Sequence, residues 1–189
     1  MRDNIDEILF SAEDILNRVT DMGLTISSDY RGLDPLLVGI LKGSFIFIAD
    51  LIRKINIPIN LDFRAISSYG NNIDSSGVVR ILKDLDENIS ERHVLIVEDI
   101  VDTGLTLGYL FQILQARRPA SLKICTLLDR PTRRIVELPI AYSGFQIPDT
   151  FVVGYGLDYR QRYRNLPYIA KLRLKNEKNN CQDNQSDCI

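Results

Sequence analysis

The segment from Val94 to Thr106 holds the residues whose types and spacing best suit chemistry on a small molecule. Four hydrophobic residues lead to two adjacent carboxylates, Glu98 and Asp99, and Asp102 adds a third. A turn with hydroxyl groups and a glycine then opens a helix. Asp102 could act only as a helix cap, but capping explains one carboxylate and leaves the other two unexplained.

The two halves of this segment suit different parts of one ligand. Backbone amides at the start of a helix bind phosphate. Gly104 lets the backbone come close, and Thr103 and Thr106 add hydroxyl donors. Glu98 and Asp99 only accept hydrogen bonds when ionised, which suits a ribose diol or a hydrated magnesium ion. A ligand with ribose hydroxyls and a 5′-phosphate would satisfy both halves.

Two other loops offer weaker signals. Lys42-Gly43-Ser44 joins a strand to a helix, where a lysine and backbone amides suit an anion. Taken alone, that tripeptide more often marks an ordinary turn. Residues 67–76 form a polar loop, which fits either a plain surface loop or a lid that excludes water.

Residues 97–106 resemble the phosphoribosyl-pyrophosphate motif of the type I phosphoribosyltransferases. The resemblance extends from about Leu37 to Leu172 and is strongest to the hypoxanthine(-guanine) members, bacterial ones especially. It implies a Mg²⁺-dependent purine salvage enzyme. Such an enzyme transfers phosphoribosyl from phosphoribosyl pyrophosphate to N9 of hypoxanthine or guanine, giving IMP or GMP and pyrophosphate. It also implies a homodimer or homotetramer.

The resemblance assigns roles around the sugar and its phosphates. Glu98 and Asp99 would hold the ribose and a metal ion, and Asp102 would be the general base at purine N7. The implied residues for the phosphoribosyl group are Glu98, Asp99, Asp102, Thr103, Gly104, Leu105 and Thr106. Lys42, Gly43 and Arg164 would bind pyrophosphate, and the peptide between Leu41 and Lys42 is often cis in the family.

The resemblance also implies a lid and a purine site. Ser68 and Tyr69 match a serine–tyrosine pair on a mobile lid. Phe151 would stack on the purine, the Val152 backbone would read its edge, and Asp158 would bind a second magnesium ion. The implied purine-binding residues are Ile100, Arg130, Phe151, Val152, Leu157 and Asp158, and the implied metal ligands are Glu98, Asp99 and Asp158.

Arg130 departs from the family pattern, which has a lysine that donates to the purine 6-oxo group. Arginine is also only a donor, so we expect a 6-oxopurine to bind and adenine to be disfavoured. The two side chains differ in shape, which leaves the order of preference among hypoxanthine, guanine and xanthine open.

Two other functions use the same fold. A regulator that binds phosphoribosyl pyrophosphate without catalysis would usually carry a nucleic-acid-binding surface, whereas this chain has a net charge of −2. A transferase for another base, such as xanthine, is the second alternative, because fold alone does not settle the substrate. A Rossmann dehydrogenase is excluded because no Gly-x-Gly-x-x-Gly follows a strand.

The elements that must position these residues alternate between strands and helices. Apolar runs predict strands at residues 36–41, 57–66, 78–82, 94–97 and 122–128. The helical faces predicted between them are Ala12, Ile15, Leu16 and Val19; Phe45, Ile48, Ala49 and Ile52; and Leu107, Leu110, Phe111 and Leu114. Ser11 and Asp14 predict the start of the first helix, and Gly23 predicts its end. This order predicts an α/β fold with a mostly parallel sheet, with ligands at the carboxyl ends of its strands.

Length and composition limit the domain organisation and the location expected for this chain. Residues 1–175 are predicted to form one phosphoribosyltransferase domain, with a small hood from the N- and C-terminal segments. Residues 176–189 are polar and are predicted to be a disordered tail. Cys125 lies in an apolar run, and the cysteine spacings match no zinc pattern. We expect a cytoplasmic protein without a membrane span or nucleic-acid partner.

Overall fold

The computed structural model describes residues 4–68 and 79–173. Its strands are β1 (Ile5–Phe10), β2 (Leu36–Leu41), β3 (Asn60–Ser68), β4 (Val79–Lys83), β5 (His93–Val101), β6 (Ser121–Asp129), β7 (Ile140–Gln146), β8 (Val152–Val153) and β9 (Ile169–Leu172). Its helices are α1 (Ala12–Asp29), α2 (Phe45–Ile52) and α3 (Leu105–Gln115), and a 3₁₀ turn spans Pro131–Arg133. Within these two ranges, no helix is long and apolar enough to cross a membrane.

The larger sheet has six strands in the order β4-β3-β2-β5-β6-β7. All neighbouring strands run parallel except β3 and β4, which are antiparallel. The chain builds outward from β2 in one direction and from β5 in the other. The strand order therefore reverses between β2 and β5, and a crevice at the carboxyl ends of such strands is a usual ligand site. The predicted α/β class is confirmed.

Helices cover both faces of this sheet. Ile15 and Val19 of α1 and Phe47 and Leu51 of α2 pack on one face. Leu107, Leu110 and Leu114 of α3 pack on the other face, against Val38 and Ile96 among others. Because both faces are covered, the middle of each central strand is buried, and short apolar runs such as Leu36–Leu41 and residues 94–97 mark these strands in the sequence. Burial of each such side chain contributes about 1.5–3 kcal/mol.

A second sheet has three antiparallel strands in the order β1-β9-β8. It joins the two ends of the described chain, since Ile5 pairs with Leu172 and Phe10 with Ile169. Its strands, like β7, were not predicted, because they are short or lack a clean alternation of apolar residues. We propose that this sheet is the centre of the expected hood. The predicted tail at 176–189 lies outside the described residues.

Two local predictions about helices were wrong. Helix α1 does not end at Gly23 but continues to Asp29. Gly23 is buried, and a Cβ there would lie 2.5 Å from the Cβ of Lys54, so this glycine serves close packing rather than termination. In α2 the buried side chains are Phe47, Ile48 and Leu51, whereas Phe45 of the predicted face is exposed.

Candidate active site

Strand β5 brings the paired carboxylates to the point where the strand order reverses. The prediction that the turn begins at Glu98 was wrong, since β5 stays paired with β6 as far as Val101 and Asp129. Pairing with β2, by contrast, ends at Val97. The Glu98 and Asp99 side chains therefore lie where β5 has lost one neighbour, and the backbone there is held by β6 alone.

A cleft of about 150 Å³ opens at this end of the sheet. Its walls combine the carboxylates, the glycine-containing turn and the first turn of α3. The residues that line it are Ile66, Glu98, Ile100, Val101, Asp102, Thr103, Gly104, Thr106 and Leu107. Most of the predicted phosphoribosyl-binding set therefore surrounds one cleft.

The start of α3 leaves backbone amides available to a ligand. Its N-cap, Gly104, has φ 80°, a left-handed conformation that glycine adopts at little cost. Among residues 4–68 and 79–173 no side chain caps this helix at its N-cap, and its first turn has no acidic residue. The Leu105 amide is 3.4 Å from Thr103 Oγ1, a long hydrogen bond. Because the first amides of a helix lack partners within it, this start suits an anion.

The two carboxylates of β5 are placed where their charge is costly. Burial raises the pKa of Glu98 well above its ordinary value, and the charge of Asp99 and a hydrogen bond to it raise that pKa further. Burial also raises the pKa of Asp99, opposed by hydrogen bonds from Glu98 and from backbone amides and by the charge of Arg164. Two adjacent carboxylates with raised pKa values are stabilised in the ionised form by a cation or by several hydroxyl donors bound between them.

Glycines let two loops meet beside Asp99 of β5. A Cβ on Gly43 would lie 1.7 Å from Asp99 Oδ2, and a Cβ on Gly156 would lie 2.1 Å from the Gly43 carbonyl oxygen. The peptide between Leu41 and Lys42 is cis, as the resemblance implies. The Lys42–Ser44 loop therefore lies directly against the carboxylate pair, and its neighbour on the other side is the Gly154–Leu157 loop.

Arg164 and Asp158 form an ion pair beside the Gly154–Leu157 loop. Arg164 donates to the Gly156 carbonyl at 2.7 Å and pairs with Asp158 Oδ1 at 2.6 Å. The other Asp158 oxygen accepts from the Gln161 amide at 2.7 Å. In the part of the chain described, no three acidic, histidine or cysteine side chains are grouped closely enough to hold a metal. Glu98, Asp99 and Asp158 therefore form no three-residue cluster among the described residues, and the prediction that Asp158 binds a second ion stays a prediction.

Asp102 is tied to arginines that follow β6. Its Oδ2 lies 3.2 Å from Arg130 and 3.4 Å from Arg133. Arg130, only 6% exposed, also donates to the Thr150 carbonyl at 2.5 Å. Two buried atoms in this group have no hydrogen-bond partner among the described residues, the acceptor Asp102 Oδ1 and the donor Arg130 Nε. The two side chains also form an ion pair with each other through Asp102 Oδ2.

The predicted purine residues divide into exposed and buried ones. Phe151 is 42% exposed and meets Tyr159 edge to face, with ring centroids 5.5 Å apart. The side chains of Val152 and Leu157 are buried. Ile100 lines the cleft. Ser68 ends β3, and Tyr69 lies outside the described residues.

The sequence interpretation missed one residue of this region. Arg134 received no role in the sequence analysis, but its side chain is only 10% exposed. It donates to the carbonyls of Asp102 at 3.0 Å and Val101 at 3.3 Å, and it pairs with Asp129. A signal was present, because a charged residue close behind a buried strand that ends in aspartate offers an ion pair.

The chain is similar to known proteins in both sequence and structure. Residues 7–160 match the model of the phosphoribosyl transferase domain. The hypoxanthine-guanine phosphoribosyltransferase of Bacillus subtilis (strain 168) is 48% identical over 92% of this chain and 96% of its own. The hypoxanthine phosphoribosyltransferase of Haemophilus influenzae is 52% identical over 89% and 96%.

A crystal structure of a hypoxanthine phosphoribosyltransferase from Staphylococcus aureus superposes with a TM-score of 0.87 at 48% identity. The alignment covers 91% of this chain and 94% of that one. The family match over residues 7–160 and these relatives, which are 48% and 52% identical in sequence, lead to one conclusion: the chain belongs to the phosphoribosyltransferase family.

Proposed function

We propose that this protein transfers the 5-phosphoribosyl group from phosphoribosyl pyrophosphate to N9 of hypoxanthine and of guanine. The observation that carries the proposal is the pair of buried, unpartnered atoms Asp102 Oδ1 and Arg130 Nε. An unsatisfied buried polar atom costs about 1–3 kcal/mol, so a ligand that satisfies both gains that much at each. The relatives named above are hypoxanthine or hypoxanthine-guanine phosphoribosyltransferases, which supports the same substrates.

A 6-oxopurine presents the complementary pair of groups. Its N7–H is a donor and its O6 an acceptor, and the two are adjacent on one edge of the ring. Asp102 Oδ1 would accept from N7–H, and Arg130 would donate to O6. Adenine places an amino donor where O6 would be. That donor would face the arginine donor, so adenine should be rejected.

The sugar and phosphates would lie along the cleft. The 5′-phosphate would bind at the uncapped start of α3, with Thr103 and Thr106 nearby. Glu98 and Asp99 would accept from the ribose hydroxyls. Lys42, Gly43 and Arg164 would face the pyrophosphate, because the loops that carry them meet beside Asp99.

In the proposed reaction the bond between C1 and the pyrophosphate oxygen breaks, and positive charge builds on the ribose, as in glycoside chemistry. Purine N9 forms the new bond to C1, pyrophosphate leaves with the bonding electrons, and Asp102 accepts the N7 proton. Phe151 is exposed and follows Thr150, whose carbonyl accepts a hydrogen bond from Arg130; it would stack on the purine and fix its angle of approach.

Magnesium fits the residues present. Glu98 and Asp99 are adjacent hard oxygen donors whose mutual repulsion a cation would relieve. Magnesium commonly binds through one or two carboxylates and completes its shell with water and substrate phosphates, so a protein-only cluster is not required. When bound, it would neutralise charge on the leaving pyrophosphate. Asp158 pairs with Arg164, so a second ion bound there would share this carboxylate with the arginine.

Two further statements belong to the proposal. The expected homodimer or homotetramer and the expected cytoplasmic location follow from the family resemblance and the sequence. The alternatives of a regulator or an enzyme for another base have no observation in the structure that favours them. Arg130 bears on the order of hypoxanthine, guanine and xanthine, which the experiment below would determine.

The test is product formation. Pure protein with Mg²⁺ and phosphoribosyl pyrophosphate would be offered hypoxanthine, guanine, xanthine and adenine separately, and each 5′-monophosphate followed by chromatography. We expect IMP, and GMP as well, with little AMP. Tight binding of phosphoribosyl pyrophosphate with no product from any purine would refute the proposal and favour the regulator.

A further inference from the structure

Arg134 is the residue near the cleft that the proposed roles leave unused. It follows the 3₁₀ turn Pro131–Arg133, and its side chain is nearly buried beside Asp129, the last residue of β6. A buried arginine needs partners for its donors, because desolvating its charge is costly. Its partners here are the Asp129 carboxylate and the carbonyls of Val101 and Asp102.

These carbonyls belong to the peptides that lead into the anion-binding turn. In a trans peptide the carbonyl oxygen and the following N–H point in opposite directions. The peptide after Asp102 is trans, so Arg134, by holding that carbonyl, turns the Thr103 amide away from itself. The amides of Ile135 and Val136 hold the Thr103 carbonyl in the same way, at 2.9 and 3.1 Å, and so orient the Gly104 amide.

Arg134 also supports the turn from behind. A Cβ on Gly104 would lie 3.2 Å from Arg134 Cδ and 2.8 Å from the Val136 carbonyl oxygen. The arginine is therefore packed against Gly104, the N-cap of α3, and it is not among the residues that line the cleft. Its charge is paired with Asp129, so it does not need to reach a ligand.

We propose that Arg134, held by Asp129, is a positioning residue that aims the backbone amides of the turn at residues 102–106 toward the 5′-phosphate. The proposal rests on the function proposed above, since it assumes that this turn binds that phosphate. A point charge would not suffice, because the planar guanidinium spans two carbonyls and a carboxylate at once.

The chain offers a matched control. Arg18 donates to two consecutive carbonyls in the same manner, to Gly144 at 2.8 Å and to Ser143 at 2.6 Å, but it joins α1 to β7 away from the cleft. Arg18→Gln removes the same kind of contact as Arg134→Gln. A merely structural role predicts equal losses of melting temperature and activity in the two variants.

The experiment measures kcat, KM for each substrate and melting temperature in Arg134→Gln, Arg134→Lys and Arg18→Gln. For Arg134→Gln we expect kcat/KM for phosphoribosyl pyrophosphate to fall about 10²-fold, the usual effect of misplacing a site by an ångström, with KM for hypoxanthine nearly unchanged. Lysine should restore little of the loss, and Arg18→Gln should keep wild-type kinetics. Full rescue by lysine, or an equal kinetic loss in Arg18→Gln, would overturn the proposal.

Two further measurements distinguish a failure of this proposal from a failure of the proposed function. The affinity for phosphoribosyl pyrophosphate alone, measured by calorimetry, should fall in Arg134→Gln even if wild type makes no nucleotide. In that case the proposed function fails and the positioning role stands. An unchanged affinity in an active enzyme would refute the positioning role only. If Asp129 acts through Arg134, Asp129→Asn combined with Arg134→Gln should be no worse than Arg134→Gln alone.

Discussion

Helices α1 and α3 begin in opposite ways. At α1, Ser11 Oγ accepts from the Asp14 amide at 3.1 Å, and Asp14 Oδ2 accepts from the Ser11 amide at 2.9 Å, a complete capping box. At α3 the N-cap is Gly104, no side chain in the described part of the chain caps the helix as an N-cap, and the first turn has no acidic residue. The α1 donors are satisfied by a capping box, whereas the α3 start has only the long Thr103 Oγ1 contact to the Leu105 amide.

The difference separates residues that stabilise the fold from residues that await a ligand. A cap contributes stability in every state of the protein. An open helix start contributes nothing until an anion arrives, and it leaves unpaired donors in the free protein. The same contrast holds for carboxylates, since hydrogen bonds from Ser11 lower the pKa of Asp14 while burial raises that of Glu98. The predictions below test this division, beginning with the largest expected effect.

Replacing Asp102 by asparagine should have the largest effect. The substitution keeps the size of the side chain but removes the proton acceptor, so kcat with hypoxanthine should fall about 10²-fold or more. The affinity for phosphoribosyl pyrophosphate should change less. Steady-state kinetics beside calorimetry would measure both, and turnover near the wild-type rate would show that Asp102 is not the base.

Placing a carboxylate in the first turn of α3 should make the start of this helix resemble the start of α1, whose first turn is acidic. Thr106→Glu puts a negative charge beside the expected phosphate, where repulsion of roughly 1–3 kcal/mol should weaken phosphoribosyl pyrophosphate binding about tenfold to a hundredfold. The charge should leave the free protein as stable as before or slightly more so. Thr106→Gln is the uncharged control. Wild-type affinity in Thr106→Glu would place the phosphate elsewhere.

Glu98→Gln should stabilise the ligand-free protein in a pH-dependent manner. The pKa of Glu98 is raised above 4.5 in the folded state, so the unfolded chain releases this proton first. The free energy of unfolding of wild type therefore falls as pH rises from about 4.5 through the folded pKa. Thermal denaturation should show similar melting temperatures for variant and wild type near pH 4, and a higher one for the variant near pH 8. A lower melting temperature for Glu98→Gln near pH 8 would contradict the account.

Ser11→Ala should have the smallest effect and should touch stability alone. Loss of the capping box should lower the melting temperature by roughly 2–4 °C, a typical result for a cap in a chain of this size. Since Ser11 holds the pKa of Asp14 below 3.8, the difference from wild type should persist at neutral pH and shrink as pH falls below that value. Kinetic constants should be unchanged. A change in KM for phosphoribosyl pyrophosphate would contradict the proposal that the start of α1 serves stability and the start of α3 serves ligand binding.

Local sequence patterns were enough to predict the core but not the contacts between loops. The buried strands β2, β5 and β6 each contain a short, mostly apolar run, and the α1 cap is formed by residues three apart, so each can be recognised in a short segment of sequence. The role of Gly43 depends on Asp99 and Gly156, which are distant in sequence and meet only in the fold. The same is true of Arg134, whose partners include carbonyls that any residue would provide. Strands β1, β8 and β9 are short and form a sheet only by joining the two ends of the chain.

The most direct test of the account is a crystal structure of the protein with IMP. The account predicts the 5′-phosphate at the start of α3, with its oxygens about 3 Å from the amides of residues 104–106. It also predicts N7 facing Asp102 and O6 facing Arg130. A phosphate bound at another helix start, with the α3 amides still unbonded, would contradict the central claim that the chain keeps this helix start open for its substrate.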